Sequence, residues 1–397
     1  MKRAFLLLIL TAAAALVLSG CGSMFEREYV VVSDYAPAPA GSARSINRIT
    51  VASFEELRQT LLNMVGEGKS SGSIVFDSAY EGDLAEDMAS VCWQVRTQDA
   101  LCAYRVANIA YELSKLFTFS EVNVTISYSD AALDTGEITR MQFSTGIDDF
   151  LRQAMSEGKT RVAVQISQSF YSQEDMENEA EEVYFASPSL APQVPAVSVN
   201  MFSGTGAQRL SEIDLDYGVP VEELLAFRQQ LQELRPFPDP KTAELEDWQR
   251  ALTACEYLKE NCRYAGENGK NGIAAALLEG EADSEGIALA YVELCGRLGL
   301  ECQVITGQRD WQDYCWNLVR IGEAYYHVDV PACAEKGLES GFLLTDVAAW
   351  NEYRWNVAAY PRCEGSLRIA ALLGGPDAGE ESSADGEENA AGEEISS

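Results

Sequence analysis

Two stretches of this chain repeat each other at a nearly constant offset, which restricts residues 46–232 to two copies of one small unit. In the first copy Ser53-Phe54-Glu55-Glu56 opens a helical pattern (Phe54, Leu57, Leu61, Leu62, Val65) with capping-box spacing. It runs through Glu67-Gly68-Lys69 into Ser73-Ile74-Val75-Phe76, a predicted strand. The second copy has a helical pattern over 144–155, then Glu157-Gly158-Lys159, then a strand over 162–166. Further on, residues 119–128 answer residues 210–217. The offset is 90 at Glu67/Glu157 and 91 at Glu121/Glu212. Two small α/β units follow, over about 46–128 and 140–217, packed side by side or sharing a sheet. They hold no histidine, no Gly-rich phosphate loop and no acid cluster at ligand spacing, so they imply a binding or spacer role.

Ahead of the repeats, Lys2 and Arg3 precede an apolar run from Ala4 to Leu18, ending in Leu18-Ser19-Gly20-Cys21. A basic start, a short apolar run and small residues at the cut describe a secretory signal rather than a membrane span. The four residues before and at the cut resemble the lipobox of bacterial lipoproteins. That resemblance implies removal of residues 1–20, a lipid on Cys21 and a position on the extracytoplasmic face of the cell membrane. No apolar run after Leu18 is long enough to cross a bilayer, so the lipid is the expected membrane attachment. Residues 21–45, with Pro37 and Pro39, read as a spacer.

The formal charge is −33, and loss of Lys2 and Arg3 takes the mature chain to about −35. Such a body repels nucleic acid, which is excluded as a partner. Part of the charge lies in a Gly/Ala/Ser/Glu-rich tail, residues 374–397, without periodicity and expected to be disordered.

Residues 233–241, including Arg235-Pro236-Phe237-Pro238-Asp239-Pro240, form a stiff hinge, since each proline fixes φ and removes a donor. A further domain is expected over 242–373. Residues 242–262 are helical in pattern, as are 284–298, the latter ended by Gly299. Alternating runs over 301–306, 314–321 and 324–330 read as strands.

The chain has ten cysteines, nine without Cys21. Cys255 and Cys262 would lie about 10 Å apart along a helix, too far to bridge. Cys92 with Cys102, and Cys333 with Cys363, are candidate pairs. With no CxxC and a single histidine, His327, neither a zinc site nor a thioredoxin-like site is expected, and no cofactor is implied.

The order of motifs in the last domain is specific. It runs Ser284-Glu285-Gly286-Ile287-Ala288, Leu294 to Gly299, Gly307, Trp316-Asn317 and Tyr326-His327-Val328-Asp329, then Phe342 to Asp346, Trp355 and Tyr360-Pro361. This set resembles the transglutaminase-like (papain-like thiol) superfamily over roughly residues 244–365. The implied fold is α+β: duplicated α/β units followed by a transglutaminase-like domain.

In that family a cysteine stands at the helix start, a histidine opens the His-x-Trp-Asn strand, and an aspartate ends the next strand. A helix N-terminus favours a thiolate, the histidine moves protons, and the carboxylate orients it. Carried over, these positions are Ser284, Tyr314 and Asp329, so only the acid is kept. A serine without a base is a weak nucleophile, and a phenol with a pKa near 10 is a poor base. The triad reads as degenerate, with Ser284 a helix N-cap and Tyr314 bonded to Asp329 in place of the His–Asp pair. His327 reads as a strand-surface histidine, Cys295 as a buried inert thiol, and Cys315 as pointing to the face opposite Tyr314.

Three functions remain open at this point. One is a surface-anchored, non-catalytic domain binding a peptide, cell-wall fragment or protein partner. A second is an amide hydrolase or acyl transferase using Ser284, with His327 or a partner as base. The third is a purely structural envelope component.

Overall fold

The repeated Glu-Gly-Lys triplet is a helix terminator. The computed structural model describes residues 48–115, 119–234 and 244–374. In it the first triplet follows helix α1 (Phe54–Gly66) and the second follows α4 (Ile147–Ser156). Gly68 and Gly158 adopt φ of 69° and 67°, a left-handed turn that favours glycine. Each glycine N–H bonds a carbonyl of the last helical turn, Val65 or Met155, and each lysine N–H the one before, Met64 or Ala154. This is the Schellman closure in both copies. The signal, the Cys21 lipidation site, the spacer, residues 235–241 of the hinge and the tail beyond Gly374 lie outside the described residues.

The chain divides into two compact units, one of residues up to 96 with 106–130, the other of 97–105 with 131 onward. In the first, β1 (Arg48–Val51), α1, β2 (Ser71–Phe76), α2 (Leu84–Gln98), β3 (Val106–Lys115) and β4 (Ser120–Tyr128) follow in order, while α3 (Ala100–Arg105), between α2 and β3 in the chain, belongs to the second unit. The sheet order is β1-β2-β4-β3, with β1 and β2 parallel and the rest antiparallel. Ser53 caps α1 by accepting from the Glu56 N–H, while Glu56 reaches back to the N–H of Ala52. Leu57, Leu61, Met64, Ile74, Val122 and Val124 form its interior.

The second copy repeats the plan: β5 (Ile138–Phe143), α4, β6 (Arg161–Gln168), α5 (Gln173–Ala186), β7 (Ala196–Ser203) and β8 (Arg209–Asp216), ordered β5-β6-β8-β7. The two copies form separate sheets and do not share one. Their true register differs from the sequence expectation at the last strand. The Tyr128 hydroxyl donates to the carbonyl of Lys69, and the Tyr217 hydroxyl to that of Lys159, each at 2.8 Å. Tyr128 therefore matches Tyr217, an offset of 89, and the 91 read at Glu121/Glu212 is two residues out. A shift of two leaves every side chain on its own face, so alternation could not reveal it.

The second unit continues through α6 (Val221–Glu233), α7 (Asp247–Asn261), β9 (Arg263–Tyr264), β10 (Glu281–Ala282) and α8 (Ser284–Arg297). Then come β11 (Cys302–Arg309), β12 (Gln312–Ile321), β13 (Ala324–Val328), α9 (Val330–Lys336), β14 (Phe342–Leu344), α10 (Asp346–Ala349), β15 (Tyr353–Trp355) and α11 (Ile369–Leu372). A five-stranded sheet runs β14-β13-β12-β11-β15, all antiparallel. Helix α8 packs on β11 and β12 and α7 on α8. Helix α8 is apolar almost all round, as an enclosed helix must be. One hydrophobic core joins the second copy to this domain, with Val183, Leu215, Ala254, Leu289 and Val319 all within it. Residues 324–330 are not strand throughout: β13 stops at Val328, and Asp329 caps α9.

Candidate functional site

The start of α8 departs from the expected capping by one residue. Asp283 is the N-cap, accepting from the Gly286 N–H at 2.8 Å, and Ser284 is the first helical residue. Ser284 is 1% exposed. Its hydroxyl donates to Glu267 Oε2 at 2.6 Å and accepts from the Cys315 N–H at 3.1 Å. Asn317 donates to the Ala288 carbonyl at 2.9 Å and pins β12 to the same helix. Alternation along β12 sends Cys315 and Asn317 toward α8, and Tyr314, Trp316 and Leu318 toward a separate aromatic cluster. Among the described residues no hydrogen bond joins Ser284 to Tyr314.

Tyr314 and Asp329 do meet. The Tyr314 hydroxyl donates to Asp329 Oδ1 at 3.1 Å, and Tyr353 donates to Oδ2 at 2.5 Å. The Ala332 N–H donates to Oδ1 at 2.9 Å, and Arg309 closes a salt bridge at 3.4 Å. The same guanidinium donates to the Tyr314 hydroxyl, lies 5.3 Å from that ring's centre, and reaches Glu335 at 3.4 Å. Burial is the larger influence on Asp329 and raises its pKa, against the pull of Arg309 and the three hydrogen-bond donors. Burial, then the Asp329 charge, pushes the Tyr314 phenol far above its ordinary range, so it stays protonated.

His327 is not on the surface; it is 1% exposed. Strand β13 is flanked on both sides, and its imidazole packs against Trp316 and Trp355. The Trp316 Nε1–H donates to Nδ1 at 3.0 Å, and Nε2 lies 3.0 Å from Asp346 Oδ1. An indole nitrogen only donates, so Nδ1 holds the lone pair and Nε2 carries the proton to Asp346. That tautomer answers the one metal question the site raises. His327, Asp346 and Cys363 bring ligand atoms within 4.8 Å of one another. Yet neither imidazole nitrogen has a free lone pair, and Asp346 Oδ1 faces the imidazole and accepts from the Cys363 N–H at 3.2 Å. The trio is a closed hydrogen-bond chain and fits a metal poorly. Burial lowers the His327 pKa, with Asp346 opposing.

The surroundings of Ser284 are anionic. Burial first, then neighbouring carboxylates, raises Glu285 to about 7; burial likewise raises Asp283 to about 6, with Glu267 adding to it. Glu285 Oε1 has no hydrogen-bond partner. Burial and the same acids push the Cys315 thiol up. A raised carboxyl binds its proton more tightly folded than unfolded. Its penalty is therefore absent below the unfolded pKa and grows as pH rises toward 7. Glu285→Gln is expected to stabilise the protein by about 3 kcal/mol at pH 8, fading toward zero near pH 4 to 5. Thermal melts of both proteins across that range check it; a pH-independent difference would sink the assignment.

Ser284, Tyr314, Asp329 and His327 were singled out from sequence, whereas Glu267, Arg309, Tyr353 and Asp346 carried no such signal of role. Each of those four meets its partner across at least five positions of chain, Glu267 and Tyr353 from loops or edges flanking the motif.

Residues 238–330 match the family model of the transglutaminase-like superfamily, so the chain carries a transglutaminase-like domain within an α+β fold. No curated protein matches the chain. Similar solved structures include a candidate cysteine protease from Cytophaga hutchinsonii, at 11% identity over 40% of this chain and 65% of that one, TM-score 0.21. A TGase is 9% identical over 56% of this chain and 65% of that one, TM-score 0.19. A candidate protease from Parabacteroides distasonis is 8% identical over 65% and 39%, TM-score 0.19. The chain thus spans about two thirds of the first two structures' length, and the likenesses are too weak to bear on function.

Proposed function

We propose that this is a lipid-anchored, extracytoplasmic protein whose transglutaminase-like domain binds a peptide or cell-wall fragment without turning it over. One observation carries the reading. The nucleophile position is uncoupled from the base position: the Ser284 hydroxyl is taken up by Glu267 and the Cys315 N–H, while Tyr314 is held by Asp329 and Arg309. The lipid on Cys21 supplies the membrane attachment, and no helix among the described residues is long and apolar enough to cross a membrane.

The surface that supports binding is an open depression of about 590 Å³ beside the sealed serine, lined by Gln193, Val219, Glu267, Lys270, Glu279 and Asp283 among others. Three carboxylates against one lysine favour an amine-bearing ligand.

A second reading keeps chemistry at Ser284 with Glu267, at 2.6 Å, as the base. It requires a substrate to displace Glu267 from a serine that is 1% exposed. Turnover of glutamine-containing and cell-wall-type peptides by the full chain, beside Ser284→Ala, separates the two. The expected result is no turnover by either protein, with peptide binding retained in both and weakened by Glu267→Ala. Turnover that Ser284→Ala abolishes would establish the second reading instead.

A further inference from the structure

All nine cysteines among the described residues are free thiols, those of the candidate pairs Cys92/Cys102 and Cys333/Cys363 included. The Cys363 thiol turns to Asp346 and the Cys102 thiol to Asp99. Two other pairs meet instead. Cys255 on α7 and Cys333 on α9 are both buried where those helices pack, each thiol within interaction range of the other. The Cys333 sulfur sits where a side chain on Gly341 would stand, 2.9 Å from that position. Cys295, on the last turns of α8, meets Cys302, which opens β11. The chain reverses between them at Gly299, with φ of 73°, and the Leu300 N–H closes on the Cys295 carbonyl at 2.9 Å. That reversal lays the first residues of β11 back along the helix end.

We propose that Cys255–Cys333 and Cys295–Cys302 become disulfides when this chain folds in an oxidising medium. The occurrence of that medium in the cell rests on the extracytoplasmic reading given above. The oxidant is a disulfide, either a small molecule or a dithiol oxidoreductase. One protein thiolate attacks it to form a mixed disulfide and expel one thiol. The second protein thiolate then attacks the mixed disulfide and expels the other. Each protein dithiol thereby loses two electrons and two protons, and each oxidant disulfide becomes two thiols. Cys255, Cys333 and Cys295 are buried and Cys302 is half-buried, so the exchange belongs to folding, before the core closes.

The consequence falls on the site. Cys255–Cys333 fastens α7 to the helix that Asp329 caps, and Cys295–Cys302 fastens the Ser284 helix to the strand that carries Arg309. The Cys255–Cys333 link closes the longer loop and gives the larger stabilisation.

The test maps disulfides in the full-length protein in two arms. One arm takes protein from its own cells, alkylated in denaturant and digested without reduction. The other takes reduced protein refolded with oxidised and reduced glutathione. Linked Cys255/Cys333 and Cys295/Cys302 peptides are expected in both, with Cys92, Cys102, Cys262, Cys315 and Cys363 alkylated. Dithiothreitol should lower the melting temperature by on the order of 10 °C, and the Cys255→Ala/Cys295→Ala protein should not respond to it. Pairs formed on refolding but absent in cell-derived protein would support the pairing and sink the extracytoplasmic reading. Full alkylation after refolding, or linkage of other cysteines, would overturn the pairing.

Discussion

Asp329→Ala should destabilise the transglutaminase-like domain by about 3–5 kcal/mol, the range for breaking a buried ion pair from one side. The carboxylate is 2% exposed and serves four partners at once: Arg309, the Tyr314 and Tyr353 hydroxyls, and the N–H of Ala332. Alanine leaves a buried guanidinium with only the weaker, partly exposed Glu335 and Glu352 nearby. It also orphans two phenols and removes the cap of α9. Urea denaturation should show the loss as a lower midpoint at unchanged slope. Tyr314→Phe deletes one of the four partners and should cost about 1 kcal/mol. If Asp329→Ala melted like the natural protein, the acid would be a bystander. The view of the replaced triad as a structural clamp would then fail.

The same residue marks how far sequence alone reaches. Asp329 was identifiable because it closes a motif of fixed order, and Gly286 and Asn317 stood out for the same reason. Their physical roles needed the fold: a side chain at Gly286 would strike the Gly272 carbonyl at 2.7 Å, and Asn317 reaches the Ala288 carbonyl. The repeats were visible because a Schellman turn demands glycine at one place in each copy. Their exact register was not, because it depends on two tyrosine hydroxyls finding two lysine carbonyls.

Capping at α8 went to Asp283 rather than Ser284 although both residue types cap well. What decided it was Glu267, seventeen residues upstream, together with the Cys315 N–H, which occupy the serine hydroxyl. The cysteine pairs were illegible for a related reason. Cys333 has one neighbour in sequence-based pairing and another in space, and only the packing of α7 on α9 chooses between them.

Trp316→Ala should cost about 3–5 kcal/mol, as full truncation of a buried tryptophan does. Its ring fills the space among Tyr314, Tyr353, Trp355 and His327, with the Tyr353 ring centre 4.9 Å away. Part of the effect is polar, and Trp316→Phe isolates it by keeping an aromatic ring and deleting the indole N–H. In the natural protein that N–H occupies His327 Nδ1, so the imidazole cannot accept a proton without losing it. A histidine held neutral contributes stability that is complete above its unfolded pKa of about 6.5. That stability drains away as pH falls below this value, because the unfolded chain takes the proton first. Removing the donor frees Nδ1, and Asp346 then favours the imidazolium at Nε2. The folded-state pKa should rise in Trp316→Phe, and the loss of stability between about pH 6.5 and 5 should shrink or reverse. Because His327 is the only histidine in the chain, its ring proton resonance reports this titration without assignment. An unchanged titration in Trp316→Phe would mean that burial alone, and not the tryptophan, keeps this imidazole neutral.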